Sequence, residues 1–335
     1  MKLLVLGGTN FVGPAVIDAA LARGWQVTAL HRGRRGEPPA GASSVVGDRT
    51  DPDMLARLAE DEYDLVVDAW SGAPTVARDA ARALRDRTGR WAYVSTRSVY
   101  DEPVVGADER WPVVAADPDA GASAYPQDKR GAELAYEREL GADRVVHLRA
   151  GLILGPRENI DRLPWWLRRV ARGGEFLAPG PADLPLQYVD ARDLALFALD
   201  CLVAGRSGPV DTVSPPGHTT TGALLAACVL ATGAAASPVW IEPRWLLDRG
   251  VQPWSELPVW IPREHAGYPM HSADTARAAE WGLRCRPVTA TVRDTWRWLQ
   301  SGATPTVTTS LAGPVGMDPT REAALLAEWG SSPSL

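Results

Sequence analysis

A parallel α/β sheet, doubly wound with helices on both faces, is the fold class this sequence predicts, and three observations carry it. Short continuous apolar runs alternate with helical patterns through roughly the first 150 residues. The first of these runs enters a glycine-rich turn. A Pro- and Trp-rich stretch then breaks the alternation and marks a smaller lobe.

The elements follow in order. Leu3 to Leu6 reads as a buried strand, and Pro14 to Arg23 as a helix closed by Gly24. Trp25 to Leu30 and Ser43 to Val46 are the second and third strands. Pro52 to Glu60 is a short helix with Asp51 as N-cap and Pro52 at its first position. Leu65 to Val67 is a fourth strand, Thr75 to Arg87 a helix, and Trp91 to Val94 a fifth strand. A polar loop over 101–122 precedes a helix from Tyr125 to Leu140 and a sixth strand from Arg144 to Leu148. Proline becomes frequent from Pro156. Tyr188 to Leu202 and the strand Pro209 to Val213 return to the first pattern. The expected organisation is a dinucleotide-type domain over 1–156 and 186–215, and a substrate lobe over 157–185 and 216–300. A tail over 301–335 carries a short helix near Thr320 to Trp329.

Composition narrows the function classes. With 335 residues and 45% hydrophobic content the chain can bury a full core, and a net charge of −6 gives no attraction to nucleic acid or anionic membranes. The three cysteines lack ligand-like spacing and read as reduced thiols of a cytoplasmic protein, with no metal site. The apolar start breaks at Gly7-Gly8 and reads as a strand, not a leader or a membrane span. Only Lys2 and Lys129 are lysines among 35 basic residues. Ten of the 14 tryptophans follow residue 160, as core filler or as the walls of an apolar substrate pocket.

The turn Gly7-Gly8-Thr9-Asn10-Phe11-Val12-Gly13 joins the first strand to a helix. A pyrophosphate needs such a tight turn, close backbone approach, and amides at a helix N-terminus. Asn10 stands where a third glycine is usual, and asparagine is among the residues that best tolerate left-handed backbone angles. The second strand runs into His31-Arg32-Gly33-Arg34-Arg35 with no acidic residue for ribose hydroxyls. Arg32 and Arg34 instead suit a 2′-phosphate, so NADP(H) is expected and NAD(H) is the alternative. Asp48, in Gly47-Asp48-Arg49, is placed to meet the adenine amino group.

Tyr125 and Lys129 stand four apart, hence on one helical face. A nearby ammonium lowers a phenol's pKa, so the tyrosine can pass a proton to or from a substrate oxygen near neutral pH. Ser95-Thr96-Arg97-Ser98 follows the fifth strand, at the sheet edge where such folds bind ligands, and offers a hydroxyl to the same oxygen.

On these residues, with Arg149 to Pro156 and Gln187 to Leu194, the chain resembles the extended and atypical short-chain dehydrogenase/reductases, the NAD-dependent epimerase/dehydratase group. The resemblance spans roughly residues 1–300. It implies a Rossmann fold, Tyr125 as acid/base, Lys129 lowering its pKa and holding the nicotinamide ribose, and Thr96 as the catalytic hydroxyl, with Ser95 and Ser98 as fallbacks. It also implies a small-molecule substrate and a homodimer paired through helices.

Two positions depart from the family's sugar-nucleotide enzymes. Leu152 replaces an asparagine, and Leu186 replaces an arginine that meets the substrate pyrophosphate. A substrate without a diphosphate is therefore expected. The leading reading is an NADP(H)-dependent oxidoreductase that reduces a carbonyl or C=N group. The alternative is an NAD-dependent epimerase or dehydratase of a sugar derivative. A third, of another class, is an RNA-associated protein. It rests on the resemblance of Gly-Gly-Thr-x-Phe and Gly-Asp-Arg to plant chloroplast proteins, and on the Arg- and Trp-rich stretch Arg162 to Arg172. The acidic balance and the Tyr/Thr/Lys set argue against RNA as the main ligand.

Overall fold

The computed structural model describes residues 1–302 and 315–331. The chain divides into two compact units. Among the described residues the first holds 1–151, 191–214 and 273–285; the second holds 152–190, 215–272, 286–302 and 315–331.

The first unit is built on a seven-stranded parallel sheet. Its strands are β1 (Lys2–Leu6), β2 (Gln26–His31), β3 (Ser43–Val46), β4 (Tyr63–Asp68), β5 (Thr88–Thr96), β6 (Val145–Ala150) and the strand Gly208–Thr212. Their spatial order is Gly208–Thr212, β6, β5, β4, β1, β2, β3. The strand order reverses beside β1, which pairs with both β2 and β4. The crevice at the carboxyl ends of β1 and β4 is therefore the topological switch point of the sheet.

Helices α1 (Val12–Ala22), α2 (Pro52–Leu58), α3 (Pro74–Leu84) and α4 (Tyr125–Leu140) connect the strands. The α3 and α4 helices bury Ala77, Ala81, Leu84, Ala132 and Ala135 against Trp91, Tyr93 and Val66 of the sheet. Small residues on the helices let the large sheet aromatics interlock with Tyr136, whose ring lies 4.8 Å from Tyr93 and 5.3 Å from Trp91. As expected, Asp51 caps α2, accepting the Asp53 amide, with Pro52 in the first turn.

Three expectations shift. The helix after β1 begins at Val12, which places Pro14 inside its first turn rather than at its start. The short strand Val189–Asp190 pairs with Ile153–Leu154, so 152–156 and 186–190 group with the second unit rather than the first. Residues 273–285 group with the first unit, where Arg277 donates to the Pro209 carbonyl. Of the expected tail, the helix Pro319–Ser331 belongs to the second unit, while 303–314 and 332–335 lie outside the described residues. Among the described residues no helix is long and apolar enough to cross a membrane.

Candidate active site

All the residues singled out for cofactor and chemistry lie in the first unit, at the carboxyl edge of its sheet. Gly7 has φ +101°, a conformation that side chains rarely adopt, and the amides of Gly7 and Gly8 both donate to the Leu30 carbonyl. A Cβ on Gly13 would stand 2.1 Å from the Gly7 carbonyl oxygen, so strand end and helix start touch backbone to backbone. Besides Gly7, the residue of this turn with a positive φ is Phe11, at 42°, and not Asn10. Asn10 instead uses its side chain, whose Oδ1 accepts from Arg35. The N-terminus of α1 has no side-chain cap. A tight glycine cradle leading to an uncapped helix start fits a dinucleotide pyrophosphate.

The loop after β2 is organised by His31, which sequence reasoning passed over. Its Nδ1 accepts the Gly33 amide at 3.2 Å, and Nε2 meets Ser44 Oγ at 2.7 Å. This pairing orders the segment that carries the arginines. Arg32 and Arg34 are exposed, and both act on Asp48, whose carboxyl is held below the usual range. The largest cause there is the Thr50 amide, then the Thr50 hydroxyl, with the two arginines adding to them. The third arginine, Arg35, is half-buried; burial and then Arg32 lower its pKa. Arg32, Arg34 and Asp48 are thus gathered at one rim, while Arg35 leaves the group for Asn10.

Tyr125 is the first residue of α4, half-buried, and Lys129 lies one turn further along the same face. The helix start has its own fastening: the Asp128 carboxylate accepts both the amide and the hydroxyl of Ser123, each at 2.7 Å, and Pro126 occupies the first turn. Lys129 is 4% exposed. Its Nζ donates to the backbone carbonyls of Trp70 (2.6 Å) and Val94 (2.7 Å) and stands 4.8 Å over the ring of Tyr93. Burial lowers its pKa to about 7, against the opposing charges of Asp68 and Glu133. Tyr93, whose phenol is pushed up first by burial, also feels the charges of Tyr136, Asp68 and Tyr125. Tyr93 therefore lies within electrostatic reach of Tyr125 while the Lys129 ammonium covers its ring.

Thr96 ends β5, is 7% exposed, and caps the short turn Arg97–Val99 by accepting the Ser98 amide. Its neighbour Ser95 faces the other way, as alternation along a strand requires, and donates to buried Glu133 at 2.7 Å. That contact removes Ser95 as a fallback catalytic hydroxyl. Ser98 stays beside Thr96, its Oγ accepting from Thr96 Oγ1 at 3.3 Å.

Two buried charge clusters stand behind these residues, and sequence reading did not separate them out. Asp68, at the end of β4, takes a two-pronged contact from Arg49 (2.7 and 2.7 Å) and the hydroxyl of Tyr136. Glu133 takes a similar fork from Arg149 (3.0 and 2.9 Å). On the far side of Arg149, Tyr100 donates to Asp211 at 2.7 Å, and Arg97 also pairs with Asp211. Burial pushes the Asp211 carboxyl up to about 7 despite Arg97. The presence of Arg49 directly after Asp48, and of Glu133 one turn beyond Lys129, was the available signal.

In the second unit, Leu152 and Leu186 are each 2% exposed and belong to its apolar core, which also takes in eight of the ten late tryptophans. Most of these indoles are therefore packing. Trp240 is an exception in part, since it also lines a cavity of about 400 Å³ with Pro181, Leu184, Pro243 and Pro262. The Arg- and Trp-rich stretch forms the helix Arg162–Ala171, with Leu163, Trp166, Leu167 and Val170 in that core. Arg168 pairs with Asp161, and Arg169 with Glu322. These pairings leave little of the platform that base stacking needs.

The sequence model of the NAD dependent epimerase/dehydratase family matches residues 3–213. Among curated proteins no sequence matches the chain. Solved structures share its fold. UDP-glucose 4-epimerase of Thermus thermophilus, in complex with NAD, is 21% identical with a TM-score of 0.64, over 90% of this chain and 100% of that one. WbmG of Bordetella bronchiseptica, in complex with NAD and UDP, is 18% identical with a TM-score of 0.65, over 94% and 99%. UDP-glucuronic acid 4-epimerase of Bacillus cereus, in complex with NAD, is 15% identical with a TM-score of 0.65, over 92% and 100%.

Proposed function

The chain belongs to the NAD dependent epimerase/dehydratase family, and from that premise we propose that it removes and returns a hydride at a carbinol carbon of a sugar-type metabolite. The observation that carries this reading is Lys129. A lone interior lysine, desolvated and held by two backbone carbonyls, stands one helical turn from Tyr125 in a chain that otherwise uses arginine. When bound, a nicotinamide dinucleotide supplies the hydride acceptor and donor. Gly7, Thr9, Asn10, Phe11, Val12 and Gly13 would hold its pyrophosphate, Asp48 its adenine, and Lys129 its nicotinamide ribose.

The chain's own residues manage the proton. Tyr125 takes the proton of the substrate hydroxyl on its phenolic oxygen and gives it back when the alcohol is restored. The Lys129 ammonium favours the phenolate by its charge. Thr96 orients the reacting oxygen by a hydrogen bond. The burial of Leu152 and Leu186 supports a substrate that lacks a nucleotide diphosphate, because neither position offers it a donor.

A second reading, an NADP(H)-dependent carbonyl reductase using the same three residues, is favoured by one observation. Arg32 and Arg34 stand exposed directly after β2, and the carboxylate they act on, Asp48, comes from the segment after β3 rather than from the end of β2. The test is to denature the purified protein and identify released nucleotide, then titrate NADPH and NADH by tryptophan quenching. Release of stoichiometric NAD⁺ supports the first reading, since a closed redox cycle keeps its cofactor. An empty protein that prefers NADPH supports the second. A protein that releases no nucleotide and binds neither form refutes both.

A further inference from the structure

Helix α4 carries Tyr125, Lys129 and Glu133 at four-residue spacing, so the three lie along one face. Glu133 is fully buried, and its contacts reach three elements. Ser95 of β5 donates to it at 2.7 Å, Arg149 of β6 at 3.0 and 2.9 Å, and Arg130 of α4 at 2.8 Å. Lys129 donates to the carbonyl of Val94, the residue before Ser95. Two successive residues of β5 are thus fastened to two successive turns of α4, immediately before Thr96. We infer that Glu133 is a positioning residue for the proposed acid/base pair, tying α4 to the end of β5 through Ser95 and holding Lys129 as an ammonium beside Tyr125 by its charge. This rests on the reading of Tyr125 and Lys129 given above, and adds a residue that acts only through them.

The surroundings of the two groups bear this out. Lys129 faces Asp68 at the end of β4, Arg49 after β3, Tyr93 on β5 and Glu133 on its own helix, where Tyr125 stands one turn before it and Tyr136, bonded to Asp68, two turns after. Burial works against its charge, Asp68 and Glu133 work for it, and Arg49 against. Glu133 faces Arg149 and His147 on β6, Ser95 on β5, and Arg130 and Glu137 on α4. Burial works against its ionisation, but the Arg149 hydrogen bond, the charges of His147 and Arg149, and the Ser95 hydroxyl keep it ionised.

The chain's two lysines make the test direct. Protein labelled with [ε-¹³C]lysine shows two lysine ε-carbon resonances, and Lys129→Met assigns the second. In wild type the Lys129 signal titrates with a midpoint of about 7. In Glu133→Gln the midpoint falls by about one unit or more, because a buried opposite charge has been removed. Should that variant fail to fold, Glu133→Gln with Arg149→Met removes the stranded guanidinium as well, and the same fall is expected. Ser95→Ala keeps the carboxylate and leaves the midpoint within a few tenths of wild type. A midpoint unmoved in a folded Glu133 variant overturns the inference, as does a Ser95→Ala shift as large as that of Glu133→Gln. A wild-type lysine that titrates near its ordinary 10.5 overturns instead the underlying reading of Lys129.

Discussion

Replacing Lys129 by methionine is expected to flatten the rise in stability between neutral and alkaline pH. In the folded chain burial lowers this ammonium to about 7, whereas an unperturbed lysine ionises near 10.5. Between those values the unfolded chain holds a proton that the folded chain has released, so raising the pH favours the folded state. Below about 7 both states are charged and the full penalty of burial applies; above 10.5 neither is charged and the penalty is gone. Each pH unit in that window is worth about 1.4 kcal/mol. Going from about pH 7.5 to about pH 9 should therefore strengthen wild type by about 2 kcal/mol through this one group. Methionine keeps an unbranched stem of similar volume and cannot titrate, so the difference between the two proteins isolates the lysine. The assay is urea unfolding followed by tryptophan fluorescence, with both proteins measured at both pH values. If their unfolding free energies change in parallel, Lys129 keeps the ordinary ionisation of an exposed lysine and is not desolvated as described.

Tyr125→Phe should abolish turnover while NAD(H) or NADPH binding, read by tryptophan quenching, stays within about threefold, because the phenol handles only the proton. Substituting Arg32 and Arg34 together by alanine should weaken NADPH at least about tenfold more than NADH, a loss typical of a charge-assisted phosphate contact; equal losses would remove the 2′-phosphate argument. Gly13→Ala drives a Cβ to 2.1 Å from the Gly7 carbonyl, and backbone cannot yield as a side chain end can. A loss of about 3 kcal/mol or more, together with lost dinucleotide binding, should appear in unfolding and titration experiments. Wild-type values in both would show that the turn is looser than described.

Local pattern made much of this protein legible. Strand and helix periods are written in neighbouring residues, so the succession from β1 to β6 could be read, as could the cap at Asp51. Tyr125 and Lys129 were visible because their partnership needs only one helix. Even the Gly7–Gly13 turn was recognisable, although its non-glycine residue with positive φ proved to be Phe11. Asn10 had a competing use, as acceptor for Arg35, 25 residues away.

What the sequence by itself determined is therefore the parallel α/β architecture, the glycine-rich turn from strand to helix, and the placing of Tyr125 and Lys129 on one helix. Only the tertiary structure decided what surrounds them. Ser95 was one of three eligible hydroxyls until the pleat of β5 aimed it at Glu133, 38 residues on. Arg49 read as part of a Gly-Asp-Arg motif until it met Asp68. Leu152 and Leu186 were absences of polar groups before they were seen to be core. The physical reason is common to all of them. A buried charge or a desolvated lysine depends on groups brought together from distant strands, and neither its partners nor its dielectric surroundings are encoded in any local spacing.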